Sequence, residues 1–247
     1  MEKIGLIGVG NMGEAILKAL IDSGYKEKDL FFSEIKPERA AFIAKTYNIT
    51  PVKDIKKLAN TVKYLIIAVK PQDAQKTLED IIPSIDEKNI IISIMAGVSI
   101  SKILSFSSNE IKVVRAMPNI CAKIGQSLTA ITSSKKVKNN ELKEVKKILS
   151  SIGLVIEINE GLMDAITALS GSGPAFVLYF LEAMIDAGVK MGIMREKSRD
   201  IAIQVLKGTI EMLERENLNP TILKEMVTSP GGTTIYGLTH LEEKAFK

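Results

Sequence analysis

Six residues near the amino terminus, Gly8-Val9-Gly10-Asn11-Met12-Gly13, follow a short apolar run at 3–7 and open an amphipathic stretch. G-x-G-x-x-G placed between a strand and a helix suits few folds. The first glycine permits a tight turn, the second lets the backbone approach a pyrophosphate, and the third allows close packing of helix on strand. A bare glycine turn is the plainer alternative, but the flanking pattern favours a dinucleotide site. A helix is expected over about 13–22, with Gly24 beyond its end, where a left-handed cap favours glycine.

The first two thirds of the chain alternate β-branched runs with amphipathic stretches, as in a mostly parallel, doubly wound α/β sheet. Strands are expected at 3–7, 30–33, 64–69, 90–94, 112–116, 127–131 and 155–158. Past Glu160 the strand-like runs stop and helical spacing takes over, so a domain boundary is placed near 160, giving domains 1–160 and 161–247. Pro174 is expected to open a long helix ending at Gly192, with an apolar stripe of Phe176, Val177, Phe180, Leu181, Met184 and Ile185. A second helix is expected over 196–216, and a third begins with Asn219 as N-cap and Pro220 at the first helical position. Apolar faces this wide either form an internal bundle core or need a second subunit to cover them; dimerisation through this half is expected.

Glu34 closes the second expected strand, where an acid accepts hydrogen bonds from a ribose diol and so favours NAD. Lys36 and Arg39 lie close enough in sequence to offset the extra phosphate of NADP, which leaves the coenzyme open. Arg39 by itself reads as a solvated loop residue. Ala68-Val69-Lys70-Pro71, Met95-Ala96-Gly97 and Met117-Pro118-Asn119 each follow a strand, so all three turns belong at the carboxyl edge of the sheet, where ligands bind. Asn119 is suited to bond a carboxamide, although Pro71 and Pro118 also serve simply to stop strands.

Near the carboxyl end, Ser229-Pro230-Gly231-Gly232-Thr233-Thr234 precedes helical spacing at Ile235, Leu238 and Leu241. Free amides at a helix start, beside two glycines and two hydroxyls, make a nest for a small carboxylate; an ordinary Pro-Gly turn capped by threonine is the alternative.

Composition excludes more than it identifies. The chain has 247 residues, 46% hydrophobic and 25% charged, with a net charge of +4, which argues neither for disorder nor for nucleic acid. Lys135, Lys136, Lys143, Lys146 and Lys147 read as a solvated helix face. No apolar stretch is expected to reach the roughly 20 residues that cross a bilayer, so no membrane partner is expected. One cysteine, Cys121, and a start without a signal peptide point to a reducing cytoplasm. With one histidine, His240, no metal site is expected and metal-free hydride transfer remains. His240 reads as an incidental surface residue and Cys121 as a small buried filler.

Taken in order, the glycine motif, Ala68 to Pro71, Arg115-Ala116-Met117-Pro118-Asn119, Leu169-Ser170-Gly171-Ser172-Gly173-Pro174-Ala175 and Ser229 to Thr234 resemble pyrroline-5-carboxylate reductase along essentially the whole chain. The resemblance implies an N-terminal Rossmann domain followed by an all-α dimerisation domain, within a homodimer or a larger ring. It implies reduction of 1-pyrroline-5-carboxylate to L-proline with NADP or NAD as coenzyme. Carried onto this chain, it places the coenzyme on Gly8, Gly10, Asn11, Met12, Gly13, Glu34, Ala68, Val69, Lys70, Pro71, Ala96, Gly97 and Asn119. The substrate falls to Ser229, Gly231, Gly232, Thr233 and Thr234. Amides of Gly231, Gly232 and Thr233 are expected to hold its carboxylate, and Thr234, the catalytic candidate, to bond near the ring nitrogen. Ser170 to Gly173 is expected to admit the nicotinamide, with a plain helix break as the alternative. Two departures stand out: family members commonly continue as a further helix past Leu241-Glu242-Glu243, and NADP-preferring relatives often have a small hydroxyl residue where this chain has Glu34.

Two rivals carry less. Hydroxyacid reductases with a similar glycine start need a lysine on the long middle helix, and Lys190 lies at its far end. A dinucleotide-binding regulator without turnover would bind the coenzyme and never oxidise it.

Overall fold

The structure, a computed structural model, describes residues 2–246. Seven strands form one sheet in the order β2-β1-β3-β4-β5-β6-β7: β1 (Ile4–Ile7), β2 (Leu30–Ser33), β3 (Tyr64–Ile67), β4 (Ile90–Ser93), β5 (Lys112–Met117), β6 (Ser127–Ser133) and β7 (Gly153–Glu157). All neighbours run parallel except β5 and β6. The reversal follows from chain length, since residues 118–126 are too few for the crossover of a dozen or more residues that parallel strands require. Each expected strand is present; β7 starts at Gly153, ahead of the expected 155.

Crossovers are made by α1 (Asn11–Asp22), α2 (Pro37–Tyr47), α3 (Ile55–Thr61), α4 (Ala74–Ile81), α5 (Ile100–Leu104) and α6 (Asn139–Leu149). Helix α1 begins at Asn11 rather than 13, and Gly24 past its end has φ +89°. Lys135 and Lys136 are not on a helix face as expected: they sit in the turn before α6, whose solvated side carries Lys143 and Lys147. Residues alternate along β3, so Tyr64 and Ile66 enter one apolar core while Leu65 and Ile67 enter the other. Burial on both faces explains the near-continuous isoleucine of the central strands.

Asn89 locks the base of this unit. Fully buried, it donates to the Ala59 and Val62 carbonyls at 2.9 and 2.7 Å and accepts from the Asp86 N–H at 2.9 Å. Asn89→Ala leaves three polar groups without this partner, and urea unfolding is expected to show a loss of about 3 kcal/mol. A loss under about 1 kcal/mol would mean that water replaces the amide freely.

The remaining helices are α7 (Met163–Ile166), α8 (Gly173–Lys190), α9 (Arg195–Arg215), α10 (Pro220–Met226) and α11 (Thr233–Glu243). Asn219 caps α10 by accepting from the Thr221 N–H, with Pro220 in the first turn. Gly192, at φ +92°, follows α8. Between α7 and α8 the helix does not break: it widens into a π-turn over Thr167–Gly171, and the Ser172 N–H donates to the Thr167 carbonyl at 3.0 Å. Glu160–Lys190 is therefore one run of 31 residues, long and apolar enough by length and composition alone to cross a membrane. The expectation that no stretch nears that length fails because small residues at 170–173 read as an interruption. Much of this helix is bare, with Phe176 66% and Tyr179 77% exposed.

By compactness the chain forms two units, Met1–Phe176 and Val177–Lys247. The first includes the start of the long helix: buried Arg115 of β5 reaches Glu160 at 3.4 Å and Asp164 at 3.7 Å, and Glu160 also accepts from the Ile100 N–H at 2.8 Å. In the second unit Phe180 packs on Phe246, with ring centroids 5.9 Å apart.

Candidate active site

Strand β1 lies between β2 and β3, so the chain leaves it to one side and returns to the other. A crevice opens at such a switch point, beyond the carboxyl end of the strand. The glycine turn fills that position. The Gly8 N–H donates to the Ser33 carbonyl, and the Ala68 N–H to the Ile7 carbonyl, each at 2.8 Å. Gly8 has φ +85°, and a Cβ on Gly13 would stand 2.2 Å from the Gly8 carbonyl oxygen. Both glycines are demanded by the protein's own packing.

Gly10 differs. Its φ of −65° suits any residue, and a Cβ there would meet nothing within 4 Å. Neither backbone nor packing requires glycine at this point, which faces the open side of the turn. Asn11, Met12 and Gly13 follow in the first helical turn, where N–H groups lack helical acceptors and the helix end is positive. An open flank beside free donors is what a bound pyrophosphate needs.

Charged side chains hold the turn in place. Glu34 accepts from the Val9 N–H through one carboxylate oxygen and from the Lys36 N–H through the other, each at 3.0 Å. Arg39 is not the solvated loop residue expected: it sits in the first turn of α2, where its Nε donates to the Val9 carbonyl at 2.8 Å and its terminal nitrogen pairs with Glu14. Tyr47 donates to the other Glu14 oxygen at 3.0 Å, and its pKa is pushed up to about 12 by burial and then by that hydrogen bond. The phenol therefore stays protonated and donating across the physiological range. Glu14 and Tyr47 brace the turn through Arg39, and sequence reasoning missed both.

The expected turns at the sheet edge are present. Ala68 and Val69 are half-buried beside Gly8, while Lys70 and Pro71 are exposed. Ala96 is half-buried and Gly97, at φ +72°, is exposed. Asn119 is more committed than expected. Its carbonyl oxygen accepts from the Cys121 N–H at 3.1 Å, and its amide donates to the backbone and hydroxyl oxygens of Ser170, both at 3.2 Å. The asparagine thus ties the end of β5 to the π-turn. Cys121 is half-buried rather than the buried filler expected, because it lies on a short helical turn at the surface.

In the second unit the loop at 229–234 enters α11 with Gly232 as N-cap and no capping side chain. Gly231 has φ +66°. The Gly232 N–H is not free as expected: it donates to the Ser229 carbonyl at 3.1 Å and closes the turn. A Cβ on Gly232 would meet the Ser229 hydroxyl oxygen at 2.4 Å, a side-chain atom that can rotate aside, and the Ser229 carbonyl oxygen at 3.3 Å. Thr233, Thr234 and Ile235 occupy the first helical turn, where amides have no helical acceptor. His240 is exposed on α11 and lies 3.6 Å from Glu243.

Residues 160–247 match the family described as pyrroline-5-carboxylate reductase dimerisation, and residues 3–97 match that described as NADP oxidoreductase coenzyme F420-dependent. A pyrroline-5-carboxylate reductase of Aquifex aeolicus is 39% identical over 245 residues, covering 99% of this chain and 91% of that protein. This chain belongs to the pyrroline-5-carboxylate reductase family. Solved structures agree. A Plasmodium falciparum pyrroline carboxylate reductase with NADP bound is 34% identical, with a TM-score of 0.89 over 99% of this chain and 91% of its own. A Streptococcus pyogenes 1-pyrroline-5-carboxylate reductase is also 34% identical, with a TM-score of 0.88 over 100% of this chain and 92% of its own. Membership in the pyrroline-5-carboxylate reductase family also accounts for the bare apolar helix, which falls in the region matched to dimerisation.

Proposed function

We propose that this chain transfers hydride from NAD(P)H to the imine carbon of 1-pyrroline-5-carboxylate, giving L-proline, the last step of proline biosynthesis. The observation that carries the reading is Gly10: in a member of this family, the one of the turn's three glycines that packing does not require stands at the open mouth of a helix start. Bound there, the dinucleotide supplies the hydride. The chain's part is to bind, orient and exclude water. Amides of Asn11, Met12 and Gly13 take the pyrophosphate, and Gly8, Glu34, Ala68 to Pro71, Ala96, Gly97 and Asn119 line the rest of the cofactor cleft.

A protonated imine is already electrophilic, so orientation does most of the catalysis. Because the Gly232 N–H is engaged, we assign the substrate carboxylate to the amides of Gly231, Thr233 and Thr234. The Thr234 hydroxyl is placed near the ring nitrogen, and Ser229 and Gly232 shape the turn. In this reading the functional boundary lies near 160, and residues 161–247 pair two copies so that one subunit's loop serves the other's cofactor. Such dimers are the units from which a larger ring would be built. The setting is cytoplasmic, without nucleic acid or membrane as partner.

The test is direct. Purified protein is expected to oxidise NADH or NADPH, followed by loss of absorbance, when 1-pyrroline-5-carboxylate is added, and proline is expected to drive the reverse reaction at high pH. Oxidation of neither coenzyme would overturn the assignment.

A further inference from the structure

We infer that this chain discriminates in favour of NADH, with Glu34 as the residue that sets the preference and Arg39 withheld from the nucleotide; the inference rests on the dinucleotide reading of the glycine turn. Both Glu34 oxygens are fixed, one by the Val9 N–H and one by the Lys36 N–H. Each keeps a lone pair, and an ionised carboxylate only accepts, which matches the two hydroxyl donors of an unmodified ribose. A phosphate on that ribose presents acceptors and further negative charge to a carboxylate that cannot turn away.

The cation that would relieve this repulsion is committed elsewhere. Arg39 donates to the Val9 carbonyl, pairs with Glu14 and lies over the Phe42 ring, with its guanidinium carbon 5.2 Å from the centroid. Its charge is matched by Glu14, and its position is set by the turn it braces. That leaves Lys36, which is exposed and makes no ion pair among the described residues. A solvated ammonium on a flexible stem offsets a fixed carboxylate only weakly. Glu34 is therefore a specificity residue, and Arg39 is a positioning residue for the turn.

The experiment measures binding without substrate, by nicotinamide fluorescence, for NADH and NADPH separately. Wild-type protein is expected to bind NADH about ten- to a hundredfold more tightly than NADPH, the range for one like charge at close approach near a protein surface. Glu34→Gln keeps an acceptor for Val9 and removes the charge, so the ratio is expected to move towards one, chiefly by tighter NADPH binding. Arg39→Met is expected to weaken both nucleotides by the same factor. Equal binding by the wild type, an unchanged ratio in Glu34→Gln, or a selective loss of NADPH in Arg39→Met would overturn the inference while leaving the dinucleotide site standing. Binding of neither nucleotide would overturn the site, and the discrimination with it.

Discussion

Replacing Gly10 by alanine is expected to leave the fold intact and weaken nucleotide binding, whereas replacing Gly13 is expected to damage the fold itself. The contrast comes from what each new methyl group meets. At Gly10 there is open space, so thermal unfolding stays within about 0.5 kcal/mol of the parent protein. The methyl then stands where pyrophosphate approaches, and losing one charge-assisted N–H contact of about 1.5–3 kcal/mol weakens binding about ten- to a hundredfold. At Gly13 the methyl lies 2.2 Å from the Gly8 carbonyl oxygen, a backbone atom with no rotamer to escape into. Overpacking of this kind costs about 1–3 kcal/mol, and binding falls with it because the turn must open. Melting curves with a fluorescence titration of NADH and NADPH separate the two effects. Parent-like affinity in Gly10→Ala would remove the pyrophosphate from this turn.

Thr234→Ala is expected to lower turnover by about 10² to 10⁴, the range for a lost polar or proton-transfer contact at the reacting centre. The hydroxyl makes no side-chain hydrogen bond among the described residues, and Gly232, not Thr234, is the N-cap of α11. Its removal should therefore leave the melting temperature unchanged, so a fall in rate reports on the chemistry and not on the helix. Thr234→Ser keeps the oxygen and is expected to recover most of the activity. Steady-state kinetics in which Thr234→Ala matches the parent would refute the role.

Local signals carried most of the architecture. The isoleucine-rich runs of β1, β3 and β4 identify buried parallel strands, Gly24 marks a helix end, and Asn219-Pro220 marks a helix start within one residue. Each needs only neighbours in sequence. The reversal at β6 was legible in principle from the short link at 118–126, but not from the composition of the strand.

What escaped depends on partners far along the chain. Arg39 meets Glu14 across 25 residues and Tyr47 meets Glu14 across 33, and nothing in local spacing announces either pairing. The π-turn escaped for another reason, since Ser170 to Gly173 has the composition of a break and yet the helix carries on, widened over Thr167–Gly171. Likewise the Gly232 amide looked free until the turn that occupies it was seen.

The Asn119 side chain clasps Ser170 at both its carbonyl and its hydroxyl while holding the Cys121 amide. Four residues further on stands Pro174, which has no N–H to give the Ser170 carbonyl, and here a residue just past β5 takes it up. Mutagenesis at either position therefore reports on a shared joint, and a kinetic defect in an Asn119 variant cannot be credited to lost ligand contact until the geometry around Ser170 has been checked.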